Sequence, residues 1–112
     1  MRTPVKSIHL LCRDQLNLHR VAGQKDVWTT GNWDLAPEVA ESLVGGTVFL
    51  HDKKTKASYF GGKISGIKSV DTDNAKSRRI VFTFTYVHEA RGAKWRGGTT
   101  PRAWTSGVIE EA

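Results

Sequence analysis

Tryptophan in polar company is the chemical signal of this chain. Trp28 stands before Thr29, Thr30, Gly31 and Asn32, and Trp33 follows directly. Trp95 lies between Lys94 and Arg96, and Trp104 comes two residues after Arg102. A tryptophan of a hydrophobic core usually falls within an apolar period. These four fall among hydroxyl, amide and basic side chains. Indole faces stack on nucleobases, while Arg and Lys meet phosphates. The competing role for a loop tryptophan is to plug the end of a small β fold. For any single one of the four, plugging and stacking are equally open. For the set, we expect at least two to face a ligand.

The charge distribution points the same way. The 112 residues carry 17 Lys and Arg against 11 Asp and Glu, a net charge of +6. Residues 1–50 hold five basic and five acidic side chains; residues 51–112 hold twelve and six, so the whole excess lies in the second half. A one-sided basic surplus on a small domain favours a polyanion partner, nucleic acid first. The alternative is a solubilising surface. The segment 89–103, EARGAKWRGGTTPRA, concentrates Arg91, Lys94, Arg96 and Arg102 among glycines.

Other chemistries leave no trace. Gly61-Gly62-Lys63-Ile64 is the nearest approach to a phosphate loop, but its spacing is wrong and no hydroxyl follows the lysine. There is no C-x-x-C, H-E-x-x-H, G-x-G-x-x-G or G-x-S-x-G. His9, His19, His51 and His88 lack metal-like spacing, although a site built in space from His51, His88 and Cys12 is a conceivable exception. We therefore expect no metal, no cofactor and no catalysis. The single cysteine excludes an internal disulfide. No apolar run reaches the ~18–20 residues of a membrane span. The start MRTPVKS lacks the apolar stretch of a secretory signal, so a cytoplasmic location is expected.

The elements that must position these residues are mostly strands. Ile8, Leu10 and Cys12 alternate within 7–13. Residues 14–34 show no clean period and read as a long functional loop. Pro37, Glu38 and Glu41 open a short helix with Val39, Ala40, Leu43 and Val44 on one face, stopped by Gly45-Gly46. Strands are expected at 47–51 and 58–70, joined by a turn with three lysines. The glycines 61, 62 and 66 mark a bulge or a close backbone approach. Residues 71–78 read as a solvated connection. Within 79–88, Ile80, Phe82, Phe84 and Tyr86 alternate with Val81, Thr83, Thr85 and Val87, the clearest strand in the chain. A last short strand is expected from Trp104 to Ile109. The sum is a single α+β domain over 1–112: a small mixed barrel of about five strands with one or two short helices.

Residues 8–30 also resemble a known family. A strand leads into Arg13-Asp14-x-x-Asn17, then a basic loop with His19 and Arg20, then Val27-Trp28-Thr29-Thr30. This order is similar to the opening of YTH domains and to the Trp-bearing loop and short helix of EVE domains. Ser58-Tyr59-Phe60-Gly61-Gly62-Lys63-Ile64-Ser65-Gly66 is similar to the strand pair that follows in both. Both groups belong to the PUA-like superfamily of small β barrels, and the likeness spans roughly residues 7–88. The resemblance implies a reader that lifts one base, in particular a modified base, into an aromatic pocket. Trp28 would then form one wall, with Thr29 and Asn32 against the base edge. The second cage tryptophan of YTH domains has no counterpart in DTDNAKS, so Trp33, Trp95 or Trp104 would supply the other wall. That departure points to the broader EVE-like group.

The combined expectation is a non-enzymatic nucleic-acid-binding module, for DNA or RNA, serving alone or beside a separate effector protein. Its base pocket would draw on Trp28, Thr29, Asn32, Trp33, Trp95 and Trp104. Arg91, Lys94, Arg96 and Arg102 would hold the backbone. Two other classes stay open. One is an ASCH-like nuclease or amide hydrolase on the same barrel, using Lys63, Tyr59 and Ser58. The other is a basic protein-interaction module.

Overall fold

The strand with the strongest alternation is the centre of the molecule. In the computed structural model, which describes residues 5–15, 18–33, 35–71, 78–96 and 105–111, this strand (β6) runs Arg78–Tyr86. Ile80, Phe82 and Phe84 are fully buried on one face, as their two-residue period requires. Burying each phenylalanine contributes about 1.5–3 kcal/mol. Antiparallel to β6 lies the twelve-residue strand β5, Phe60–Asp71. Its register against β6 shifts between Ile64 and Gly66, the bulge that the strand glycines foretold. Gly62 supplies the close approach: a Cβ there would overlap the carbonyl oxygen of Thr85.

Five further strands complete one mixed sheet. β1 is Val5–Leu11, β2 Leu18–Arg20, β3 Val27–Trp33, β4 Thr47–His51 and β7 Thr105–Glu111. The spatial order is β2-β3-β6-β5-β4-β1-β7. All neighbours are antiparallel except β1 and β4, which run parallel with Ile8 beside Val48 and Leu10 beside Leu50. β7 pairs with β1 along the far side, Val5 opposite Glu111.

Two sequence expectations need correction. Residues 14–34 are not a loop: they hold β2, β3 and a short 3-10 turn at Arg13–Gln15. The Thr and Gly of Val27–Trp33 masked a strand whose inner positions are Trp28, Thr30 and Trp33. The second correction concerns the barrel. Among the described residues, β2 and β7 each have one neighbour, so the sheet is open with seven strands rather than closed with about five. Its extents of 39 × 37 × 33 Å are nearly equal, so the sheet curls around its own core instead of lying flat.

That core gathers Ile8, Leu10, Trp33, Val48, Leu50, Ile64, Ile80, Phe82 and Phe84 from five strands, with Cys12 just past the end of β1. The helix α1, Pro37–Ser42, and the residue that caps it add Ala40 and Leu43. Val39 and Val44, expected on the same face, are exposed instead, because one and a half turns present too narrow a stripe to bury four residues. The turn that follows the helix ends at Gly45, whose φ of +91° favours glycine. No described helix is long and apolar enough to cross a membrane. Small, predominantly β and α+β, the architecture agrees with the sequence in class.

Candidate functional site

Strand alternation gives the sheet a second face. With Ile8, Leu10, Val48 and Leu50 turned to the core, His9, Phe49 and His51 turn the other way. His9 and His51 are nonetheless 1% and 0% exposed, so something covers them. The cover consists of two basic segments, residues 52–58 and 88–96.

Ser58 fastens the two segments together. Its backbone N–H donates to the Ala93 carbonyl at 2.8 Å, and its own carbonyl accepts from Gly92 at 2.8 Å. Its hydroxyl donates to the Ala90 carbonyl at 2.6 Å and accepts the Ala93 N–H at 2.9 Å. Four hydrogen bonds on one buried serine set the register between the segments. The result lays Trp95 across the histidines, 5.7 Å from the His9 ring and 5.2 Å from the His51 ring. The Lys54 ammonium stands 5.3 Å from the indole centroid, within cation–π range. Lys53 and Lys56 of the same turn, and Arg91, Lys94 and Arg96 of the second segment, are all exposed. The two clamped segments together carry six cations and one half-buried tryptophan, against Asp52 and Glu89 in the same segments.

Beneath Trp95 the two histidines are joined. His9 Nδ1 lies 2.7 Å from His51 Nε2, and His51 Nδ1 lies 2.9 Å from the Lys56 carbonyl. A carbonyl can only accept, so His51 Nδ1 carries a proton. Burial lowers the pKa of His51, which keeps it neutral at pH 7 and leaves its Nε2 as an acceptor. His9 Nδ1 then donates to it, and the lone pair of His9 stays on Nε2. His9 itself is lowered to about 4 by burial, by the neighbouring His51 and by the positive charge of Arg96. Phe49 stacks on the His9 ring at 4.7 Å and 19°.

The candidates from sequence separate into two groups. Arg91, Lys94, Trp95 and Arg96 come together at this cover. Trp28 does not join them. It lies on the inner face, half-buried, edge-on to Phe60 at 5.0 Å, and Phe60 stacks on Tyr86 at 4.6 Å. Thr29, one residue on, points to the opposite face, its hydroxyl 3.5 Å from the His19 carbonyl. Trp33 is buried in the core, its indole N–H donating to the Thr30 hydroxyl at 3.2 Å. Asn32 lies in β3 where the pairing with β6 is irregular, and its side chain is outside the described residues. Asn17, Arg102 and Trp104 also lie outside them.

Ser58, Tyr59 and Lys63 form no cluster. The Ser58 hydroxyl is used as described, the Tyr59 hydroxyl donates to the Cys12 carbonyl at 2.6 Å, and Lys63 is exposed on β5. His51 pairs with His9, while His88 is exposed and Cys12 belongs to the core. His9, Phe49 and the lysine turn are the site residues that the sequence reading passed over. Their only signal was alternation: His9 between Ile8 and Leu10, Phe49 between Val48 and Leu50. That the two strands are parallel neighbours was not readable.

No family model, no curated protein and no solved structure matches this chain. The chemistry of the site therefore rests on its own geometry. Clustered cations with a flat indole among them suit a ligand that carries both phosphates and rings.

Proposed function

We propose that this protein binds single-stranded nucleic acid across the cover formed by residues 52–58 and 88–96, with Trp95 as its stacking platform. One observation carries this reading: the Ser58 clamp joins the segment that bears Lys53, Lys54 and Lys56 to the one that bears Arg91, Lys94 and Arg96, with Lys54 over the Trp95 ring. A polyphosphate backbone matches the cations and a base matches the indole face. The likeness of residues 7–88 to PUA-like base readers supports the same ligand class and a curled, barrel-related sheet. The protein acts as a binding module, because the hydroxyls of Ser58 and Tyr59 already donate their protons to backbone carbonyls. In a cytoplasmic setting it would present the bound strand to a separate effector.

The test is a titration with a fluorescent ten-nucleotide single strand over a salt series. About six phosphate contacts predict a log–log slope near −4. Trp95→Ala should lose ~1–3 kcal/mol of affinity and keep that slope, since stacking releases no counterions. A flat salt dependence would sink the reading. So would equal affinity for a poly-glutamate of matching charge with no effect of Trp95→Ala, which is the signature of a basic protein-interaction surface.

A further inference from the structure

His9 Nε2 is the one buried side-chain nitrogen or oxygen among the described residues without a hydrogen-bond partner. A buried acceptor left unmade is costly, so its retention asks for a reason. The order of protons in the pair makes it a lone pair, not an N–H. The rings of Phe49, His51 and Trp95 pack on His9. Trp95 has an indole N–H of its own, yet does not give it to this nitrogen. A buried water needs two to four polar partners, and a site walled by three rings supplies few. A metal ion is disfavoured by the charges of Lys54 and Arg96 nearby.

What fits is a flat, neutral ring with an N–H on its edge. We propose that a nucleobase of the bound strand enters beside His9, where Trp95 now lies, and donates a base-edge N–H to His9 Nε2. This inference rests on the binding reading above and specifies it: the cover holds the phosphates, and His9 reads the base. Phe49 and Trp95 provide the flat walls. Trp95 is the movable one. It belongs to the irregular run 93–96, which is fastened to Ser58 through Ala93, whereas Phe49 sits within β4. Burial, His51 and Arg96 keep the nitrogen unprotonated at neutral pH, so it selects donors and turns away a base edge that offers only acceptors. The His51–Lys56 hydrogen bond fixes the tautomer from behind, so the acceptor is set before the ligand arrives.

The experiment uses the whole chain with 15N-labelled histidine side chains and four probes, ten-nucleotide homopolymers of dA, dC, dG and dT. In the free protein, His9 Nε2 should resonate as an unprotonated imidazole nitrogen. With the preferred homopolymer it should move upfield, as a nitrogen accepting a hydrogen bond does, without acquiring a one-bond proton coupling. His9→Phe keeps a ring but deletes the acceptor. It should reduce the preference among the four homopolymers to about twofold or less and leave the salt slope unchanged. If a homopolymer binds while Nε2 does not move, or if Nε2 becomes protonated, the base-reading role is overturned and the phosphate-binding reading stands. If no homopolymer binds, both fall. The nitrogen shift is read on the native sequence, so it decides the matter even if His9→Phe does not fold.

Discussion

Trp28 and Trp95 lie against opposite faces of one sheet. Trp28 is an inner-face position of β3 and fits edge-on against Phe60. Replacing it with alanine removes much of the packing at that end of the core. We expect Trp28→Ala to cost ~2–4 kcal/mol in chemical denaturation, near the lower part of the range for large aromatic truncations because the ring is half-buried. Its affinity for the ten-nucleotide strand should match the wild type. An affinity loss comparable to that of Trp95→Ala, with little change in stability, would return Trp28 to the ligand site. From sequence, Trp28 was expected to be a wall of the base pocket. The deciding fact was the pairing of Trp28 with Phe84, which sets its direction and depends on a strand 50 residues away in the chain.

At the scale of elements, what could be read in advance followed alternation. β6 was plain because bulky and β-branched residues alternate over its length, and β1, β4 and β5 followed with their limits nearly correct. β2 and β3 were missed because threonine, glycine and asparagine hide a strand when its partners are unknown. The glycines of β5 were read as a bulge or a close approach, and Gly66 and Gly62 supply one of each, which allows a sharp test. Gly62 faces the Thr85 carbonyl so closely that even a methyl group forces the β5–β6 ladder apart. Gly62→Ala should therefore lose ~3 kcal/mol of stability, as expected for overpacking against backbone that cannot turn aside. Gly66→Ala, in open space on the same strand, is the control and should change stability by less than about 1 kcal/mol. Equal effects at both positions would show that the ladder relaxes.

For the whole molecule, α+β class and basic character were legible, whereas the open seven-stranded order was not. Strand order depends on which edges meet, and a sequence period carries no information about partners. The same ignorance hid the site. The basic segment 89–103 was expected to hold a nucleic-acid backbone, but its meeting with the lysine turn depends on Ser58, and the seat of Trp95 on the histidines depends on the parallel β1–β4 pair. The face proposed to bind is thus assembled from three stretches far apart in the chain, each unremarkable when read alone.

The pairing of β1 with β7 places Val5 opposite Glu111. Topologically, the strand that opens the described chain and the strand that closes it are a hairpin lacking its turn. A short glycine-serine linker could supply that turn, and the chain could then be cut elsewhere. Gly23 suits the cut: it lies in the turn between β2 and β3, with φ of +78° and open space around it. A circular permutant running from Gln24 round to Gly23 should fold to the same sheet and bind the ten-nucleotide strand with the same salt slope. A permutant that stays unfolded would mean that the native fold requires the order in which its strands are strung, and not only the set of contacts they make.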